Sequence, residues 1–195
     1  MIKRPQLVLP TVVYPDVIGL LTLDHRKVQA LFAELQAKKG RMRTHEKFEL
    51  VRKACAELLI HFAIEEGIFY PRVREEIHDD AAMDEAWDQH DSAKSLIILL
   101  GKIPPDEPMF DSKVRILAEQ VEHHIQDEEG VMFPQVLVSN VDLIALGREL
   151  LDAKNAMRAR YGMPIEEIAD EQFPEEDVYL SSSHAHRAAA RMRHL

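Results

Sequence analysis

Apolar residues recur along this chain at steps of three and four, the spacing that lays a stripe down one side of an α-helix. The first stripe is Ile18, Leu21, His25, Val28, Phe32 and Leu35. Asp16 is placed to cap that helix and Gly40 to end it. Thr44 is the expected cap of a second helix, with the stripe Val51, Ala54, Leu58, His61, Glu65 and Ile68. Pro71 is expected to kink or end it. A third helix begins near Ala82 and faces inward with Met83, Ala86, His90, Ala93, Ile97 and Leu100. Asp111 is the expected cap of the fourth, whose stripe is Val114, Leu117, Val121, His124, Glu128 and Val131, with Pro134 in the role of Pro71.

Four such helices joined by short connections read as an all-α, up-down-up-down four-helix bundle over residues 16–138. Residues 1–15 read as an extended N-terminal arm, broken by Pro5, Pro10 and Pro15. Residues 139–162 hold an additional amphipathic helix with Leu143, Leu146, Leu150 and Met157 on one side. It is expected to pack across the bundle or against a second copy, as a homodimer. Residues 163–195 read as a loosely attached C-terminal tail, acidic and then rich in Ser, Ala and Arg.

Charge and cysteine usage narrow the function classes. A net charge of −10 argues against broad nucleic-acid binding and against an anionic membrane surface. The single cysteine, Cys55, permits neither an internal disulfide nor a cysteine-based zinc site. No apolar run approaches the roughly 18 residues of a membrane span. The expected compartment is the cytoplasm.

The stripes are interrupted by polar residues, and the interruption repeats. Residues 61–71 read HFAIEEGIFYP and residues 124–134 read HIQDEEGVMFP. His61/His124, Glu65/Glu128, Glu66/Glu129, Gly67/Gly130 and Pro71/Pro134 coincide. One further histidine lies upstream of each copy, His25 and His90. Residues i and i+4 share a helix face, so each His-x-x-x-Glu aims an imidazole and a carboxylate at one point. A purely structural knot of four histidines and two glutamates in a bundle core would be expensive and partly unsatisfied. Six donors, mixed imidazole and carboxylate, suit two transition-metal ions, with iron expected and manganese or zinc as alternatives.

The segments GLLTLDHRKVQALFAEL, LLIHFAIEEGIFYP, DQHDSAKSLI and VEHHIQDEEGVMFP resemble the hemerythrin-like HHE cation-binding family. The resemblance covers residues 16–138. It implies a non-haem di-iron centre with an oxo or hydroxo bridge. Glu65 and Glu128 would bridge the irons, with His25 and His61 on one and His90 and His124 on the other. Oxygen-carrying hemerythrins present a second histidine one turn along the third helix, where this chain has Lys94. The remaining set leaves an open position on each iron, which favours reaction over reversible carriage and resembles di-iron proteins of nitrosative-stress defence. Such a protein would bind and react with a small oxidant or diatomic (O2, NO or H2O2) in oxidative or nitrosative stress defence. Peroxidase or NO- or O2-reducing turnover is left open against an iron, oxygen or redox sensor, or an iron-handling module, without turnover.

Other residues take lesser roles on this reading. Lys94 either covers apolar surface with its stem or donates a proton beside the open iron position. Glu66 and Glu129 are expected to stand behind the ligands or face solvent, with substitution as a ligand left open, and His123 to lie about 100° round the helix from His124. His45, His78, His184, His186 and His194 read as exposed. Tyr70 could line the site, but Phe133 at the repeat position favours packing.

Overall fold

A computed structural model describes residues 16–166. The 1–15 arm and the tail beyond residue 166, with His184, His186 and His194, lie outside the described residues. All described regular structure is helical: α1 (Val17–Ala37), α2 (Thr44–Ile64), α3 (Tyr70–Ile77), α4 (Asp80–Leu100), α5 (Pro108–Asp127), α6 (Phe133–Leu137) and α7 (Leu143–Arg160). A π turn at Glu65–Phe69 joins α2 to α3 in one continuous rod, and a second at Glu128–Met132 joins α5 to α6.

The caps follow local chemistry, with two departures from expectation. Asp16 accepts from the Gly19 N–H, Asp79 from Ala82 and Asp142 from Ala145. α2 starts at Thr44 itself, preceded by Arg43, whose N–H donates to Glu46. α5 begins three residues before Asp111, at Pro108, whose fixed φ suits a first helical turn. Gly40 at φ +73 follows the end of α1, and Gly162 at φ +66 follows α7.

Neither proline ends its helix. In each π turn the residue before the proline donates its N–H five residues back, Tyr70 to Glu65 and Phe133 to Glu128. The wider turn relieves the clash between the proline ring and the carbonyl four residues earlier. It also inserts one residue into the stripe. Burial therefore passes from the expected Ile68 to Phe69 and from Val131, 51 % exposed, to Met132.

α1 packs on α2 and α5, and α4 packs on α5 and α2, which closes the four-helix square. α7 lies across α1 and α2 and buries Leu146, Leu150 and Leu151. Two apolar clusters fill the bundle. One gathers Leu20, Leu21, Phe69, Val73, Met83, Val136 and the α7 leucines. The other gathers Val28, Leu58, Phe62, Phe110, Leu117 and Val121. His25, His61, Glu65, His90, His124 and Glu128 are all buried along the same helices, where the two clusters meet.

Candidate metal centre

Each of the four rods of the bundle contributes to one buried polar layer: α1 brings His25, α2 His61, α4 His90 and α5 His124. Glu65 and Glu128 stand at the starts of the π turns, one turn beyond His61 and His124. Ligand-capable atoms of His25, His61, Glu65, His124 and Glu128 all lie within 4.8 Å of one another. His90 adjoins them, its Nε2 3.2 Å from His124 Nε2 and 3.4 Å from Glu65 Oε2. The six residues singled out from the sequence are thus brought together.

The outward nitrogens fix the tautomers. His25 Nδ1 lies 2.7 Å from Glu129 Oε1, and His90 Nδ1 lies 2.8 Å from Glu66 Oε1. A carboxylate only accepts, so both Nδ1 atoms carry the proton and donate. Gln89 donates through Nε2 to Asp127 Oδ2, which turns its Oε1 to accept from His124 Nδ1 at 3.0 Å. His61 Nδ1 is the exception: Asp24 Oδ2 stands 3.6 Å away, beyond hydrogen-bond reach. Such outer partners orient imidazoles that bind metals.

The inward nitrogens consequently present lone pairs. His25 Nε2 is 3.1 Å from Glu128 Oε2, and His61 Nε2 is 3.2 Å from Glu65 Oε2. The His90 and His124 Nε2 atoms face each other. Among the described residues, the buried side-chain atoms without a hydrogen-bond partner include His25 Nε2, His61 Nε2, both Glu65 oxygens and Glu128 Oε2. Buried polar atoms are normally satisfied. A layer of imidazole nitrogens and carboxylate oxygens aimed at one another is satisfied by cations between them, so the donor set fits a pair of transition-metal ions.

Protons compensate in part when no cation does. Burial alone would lower His25, but Glu128 and Glu129 outweigh it and raise it to about 9. Burial holds His124 down at about 3, and burial likewise lowers His61. Glu65 is pushed well above the carboxylate range by burial and then by the charge of Glu128. Glu128 moves the other way: burial opposes it, but His124 and His25 hold it ionised.

Other side chains take their places around these six. Tyr70 is buried in the layer, its O–H donating to Glu128 Oε1 at 2.8 Å with His90 Nε2 at 3.2 Å. Phe133, its repeat counterpart, stacks on His25 at 5.7 Å. Lys94 lies on the outer side of His90, its Nζ 2.5 Å from Glu66 Oε1 rather than in the inner pocket. Arg26 does the same for Glu129 at 2.5 Å. His123 is exposed and paired with Asp127.

A buried ionic cluster ties α7 to the layer. Lys154 pairs with Asp24 and with Glu166, and Arg158 pairs with Glu57 at 2.5 Å. Burial would raise Asp24, yet His61 and Lys154 hold it at about 2. The available signal was Lys154 in the α7 stripe, between Leu150 and Met157. Residues 163–166, expected in the loose tail, fold back: Glu166 N–H donates to Asn155 and Lys27 reaches Glu166 at 2.5 Å. A cleft of about 1650 Å³ lies between α1, α2 and the end of α7, and none of the six buried donors lines it.

A curated relative, a DNA nickase from Nostoc sp. (strain PCC 7120), is 30% identical over 149 residues, which are 75% of this chain. The chain spans 41% of that relative's length. The crystal structure of a hemerythrin HHE cation binding domain-containing protein from Mycobacterium kansasii shares the fold, with a TM-score of 0.64 and 21% identity over 75% of this chain and 89% of that one. The family model for the hemerythrin HHE cation binding domain matches residues 16–136. With its inward-facing imidazoles and paired glutamates, this chain belongs to the hemerythrin HHE cation-binding family.

Proposed function

We propose that this chain is a non-haem di-iron protein that binds and reacts with O2, NO or H2O2 in oxidative or nitrosative stress defence, in the cytoplasm. One observation carries the reading: three of the four imidazoles have hydrogen-bonded outer nitrogens, and His25 Nε2, His61 Nε2, both Glu65 oxygens and Glu128 Oε2 meet in one buried layer without a hydrogen-bond partner. His25, His61, Glu65, His90, His124 and Glu128 would hold the ions. Bound there, two adjacent irons supply redox equivalents and Lewis acidity at one point. The chain's own part is orientation and exclusion. Glu129 with Arg26, and Glu66 with Lys94, fix the His25 and His90 rings, while Phe62 and Phe133 wall the layer from water.

The nickase activity that names the Nostoc relative belongs to a protein more than twice the matched length, and a net charge of −10 lacks the basic footprint that DNA contact requires. Small-molecule chemistry is the better-supported reading. A homodimer through α7 would have to use its outer face, because Leu146, Leu150 and Lys154 are buried within the chain.

The deciding experiment is elemental analysis with Mössbauer spectroscopy on protein purified without added metal, followed by peroxide and NO consumption under reductant. Two irons per chain and many cycles per site are expected. Protein carrying no iron would end the proposal. The sensor reading is favoured by the link His61–Asp24–Lys154, which joins the layer to α7. It predicts a single stoichiometric response with altered protection of α7 and no turnover.

A further inference from the structure

The repeat that builds the site is broken at one inner position, where the first copy ends in a phenol and the second in a phenyl. Tyr70 follows the first π turn and Phe133 the second. The two rings do different things. Phe133 lies parallel to His25, interplanar angle 3°, and offers only an apolar face. Tyr70 directs its oxygen into the donor layer, although an apolar ring would fill the same helix position without a polar atom to satisfy.

We propose that Tyr70 is a seventh protein ligand, its phenol oxygen binding the ion held by His90 and His124. This rests on the two-metal reading above. Ligand atoms about 2.1 Å from a transition-metal ion stand roughly 3 Å apart when adjacent in its shell. Tyr70 Oη lies 3.2 Å from His90 Nε2 and 2.8 Å from Glu128 Oε1. His90 Nε2 is in turn 3.2 Å from His124 Nε2 and 3.4 Å from Glu65 Oε2. These separations are those of neighbouring donors around one cation. Glu128 supports the same arrangement, offering Oε1 on the Tyr70 side and Oε2 to His25 at 3.1 Å.

As the ion enters, the phenolic O–H bond breaks, the proton leaves to water, and an oxygen lone pair forms the bond to metal. The cation's own charge reverses the local balance that otherwise keeps a buried phenol protonated. The consequence is two unlike ions. The one beside Tyr70 gains an anionic oxygen that favours the ferric state and fills the open position. The one held by His25 and His61 keeps its open position, next to Phe133, and is where a small molecule would bind.

The test uses the full 195-residue chain loaded with ferrous iron and oxidised in air. A visible phenolate-to-iron(III) charge-transfer band is expected, and resonance Raman excited within it should show tyrosine ring modes that shift when the protein contains ring-deuterated tyrosine. Tyr70→Phe should keep two irons per chain and lose the band, while Tyr161→Phe, at an exposed position, should keep both. Two irons with no such band, or a band that survives Tyr70→Phe, would overturn the ligand assignment and leave the two-metal reading intact. A chain that takes up no iron would overturn that reading as well. If Tyr70→Phe does not fold, the isotope shift in the unmodified sequence still decides whether tyrosine is bound.

Discussion

The two halves of the buried layer share their histidine and glutamate donors and differ in what surrounds them. His25 and His90, His61 and His124, and Glu65 and Glu128 are equivalent by the repeat, and so are the carboxylates Glu129 and Glu66 that hold His25 and His90. The supports behind them diverge. The residue before His25 is Asp24, buried against Lys154 of α7; the residue before His90 is Gln89, which reaches Asp127 near the surface. The cation on the outer carboxylate is Arg26 in one half and Lys94 in the other, placed differently in sequence but doing the same work. The histidine and glutamate donors are thus held constant, Tyr70 aside, while the field around each is varied. α7 accounts for part of this, because it covers α1 and α2 and has no counterpart over α4 and α5 in the described residues.

Removing an inner donor should have the largest effect. His61→Ala and Glu128→Ala should each lower bound metal by at least one equivalent and lower the melting temperature together, since binding free energy is folding free energy in such sites. Comparable losses from an exposed neighbour would contradict the assignment.

Next in size is the contrast between Asp24 and Gln89. Lys154→Met strands a buried carboxylate, and breaking a buried pair costs about 3–5 kcal/mol, readable in urea unfolding. Gln89→Leu removes one hydrogen bond to His124 and should cost about 1 kcal/mol. Equal costs would mean that α7 does not distinguish the halves. The outer carboxylates should be more alike. Glu66→Gln and Glu129→Gln each weaken the hold on an imidazole, and loss of such a partner typically costs about 10–100-fold in metal affinity, measurable by chelator competition.

A pH series on metal-free protein separates His25 from the other histidines. His25 binds its proton more tightly folded, at about 9, than at the ordinary 6.5. Its contribution to stability is therefore whole below pH 6.5 and lost as pH rises to 9. Glu65, raised, acts in the same direction. His61 and His124, lowered, do the reverse and only below about 6.5. Metal-free protein should lose stability between pH 6.5 and 9, and metal-loaded protein should not. Urea midpoints across that range would show it. His123→Ala, at an exposed site, should change stability by no more than about 0.5 kcal/mol and leave metal content unchanged.

The bundle was legible because its signal is local. Stripes at three and four residues place His25, His61, His90 and His124 on inward faces without any knowledge of neighbouring helices. The π turns were not legible. Pro71 and Pro134 read as helix ends, and only the hydrogen bonds five residues back show how the rods continue and why Phe69 and Met132, rather than Ile68 and Val131, are buried. Lys94 and Tyr70 were both visible as candidates: the amine takes the outward of its two readings, on Glu66, while the phenol, read as a packing residue, enters the layer. Tyr70's position depends on a turn whose extra residue rotates the rest of its rod.

Helix periodicity and the twice-written His-x-x-x-Glu therefore determined the fold class and the six inner donors, because both depend on residues within one or two turns of each other. The supports were decided by tertiary contact alone. Glu129 reaches His25 across 104 positions and Lys154 reaches Asp24 across 130, and no spacing rule relates residues so far apart. Which carboxylate holds which ring, and which half α7 covers, follows from how the rods pack, a property of the closed bundle and not of any single helix.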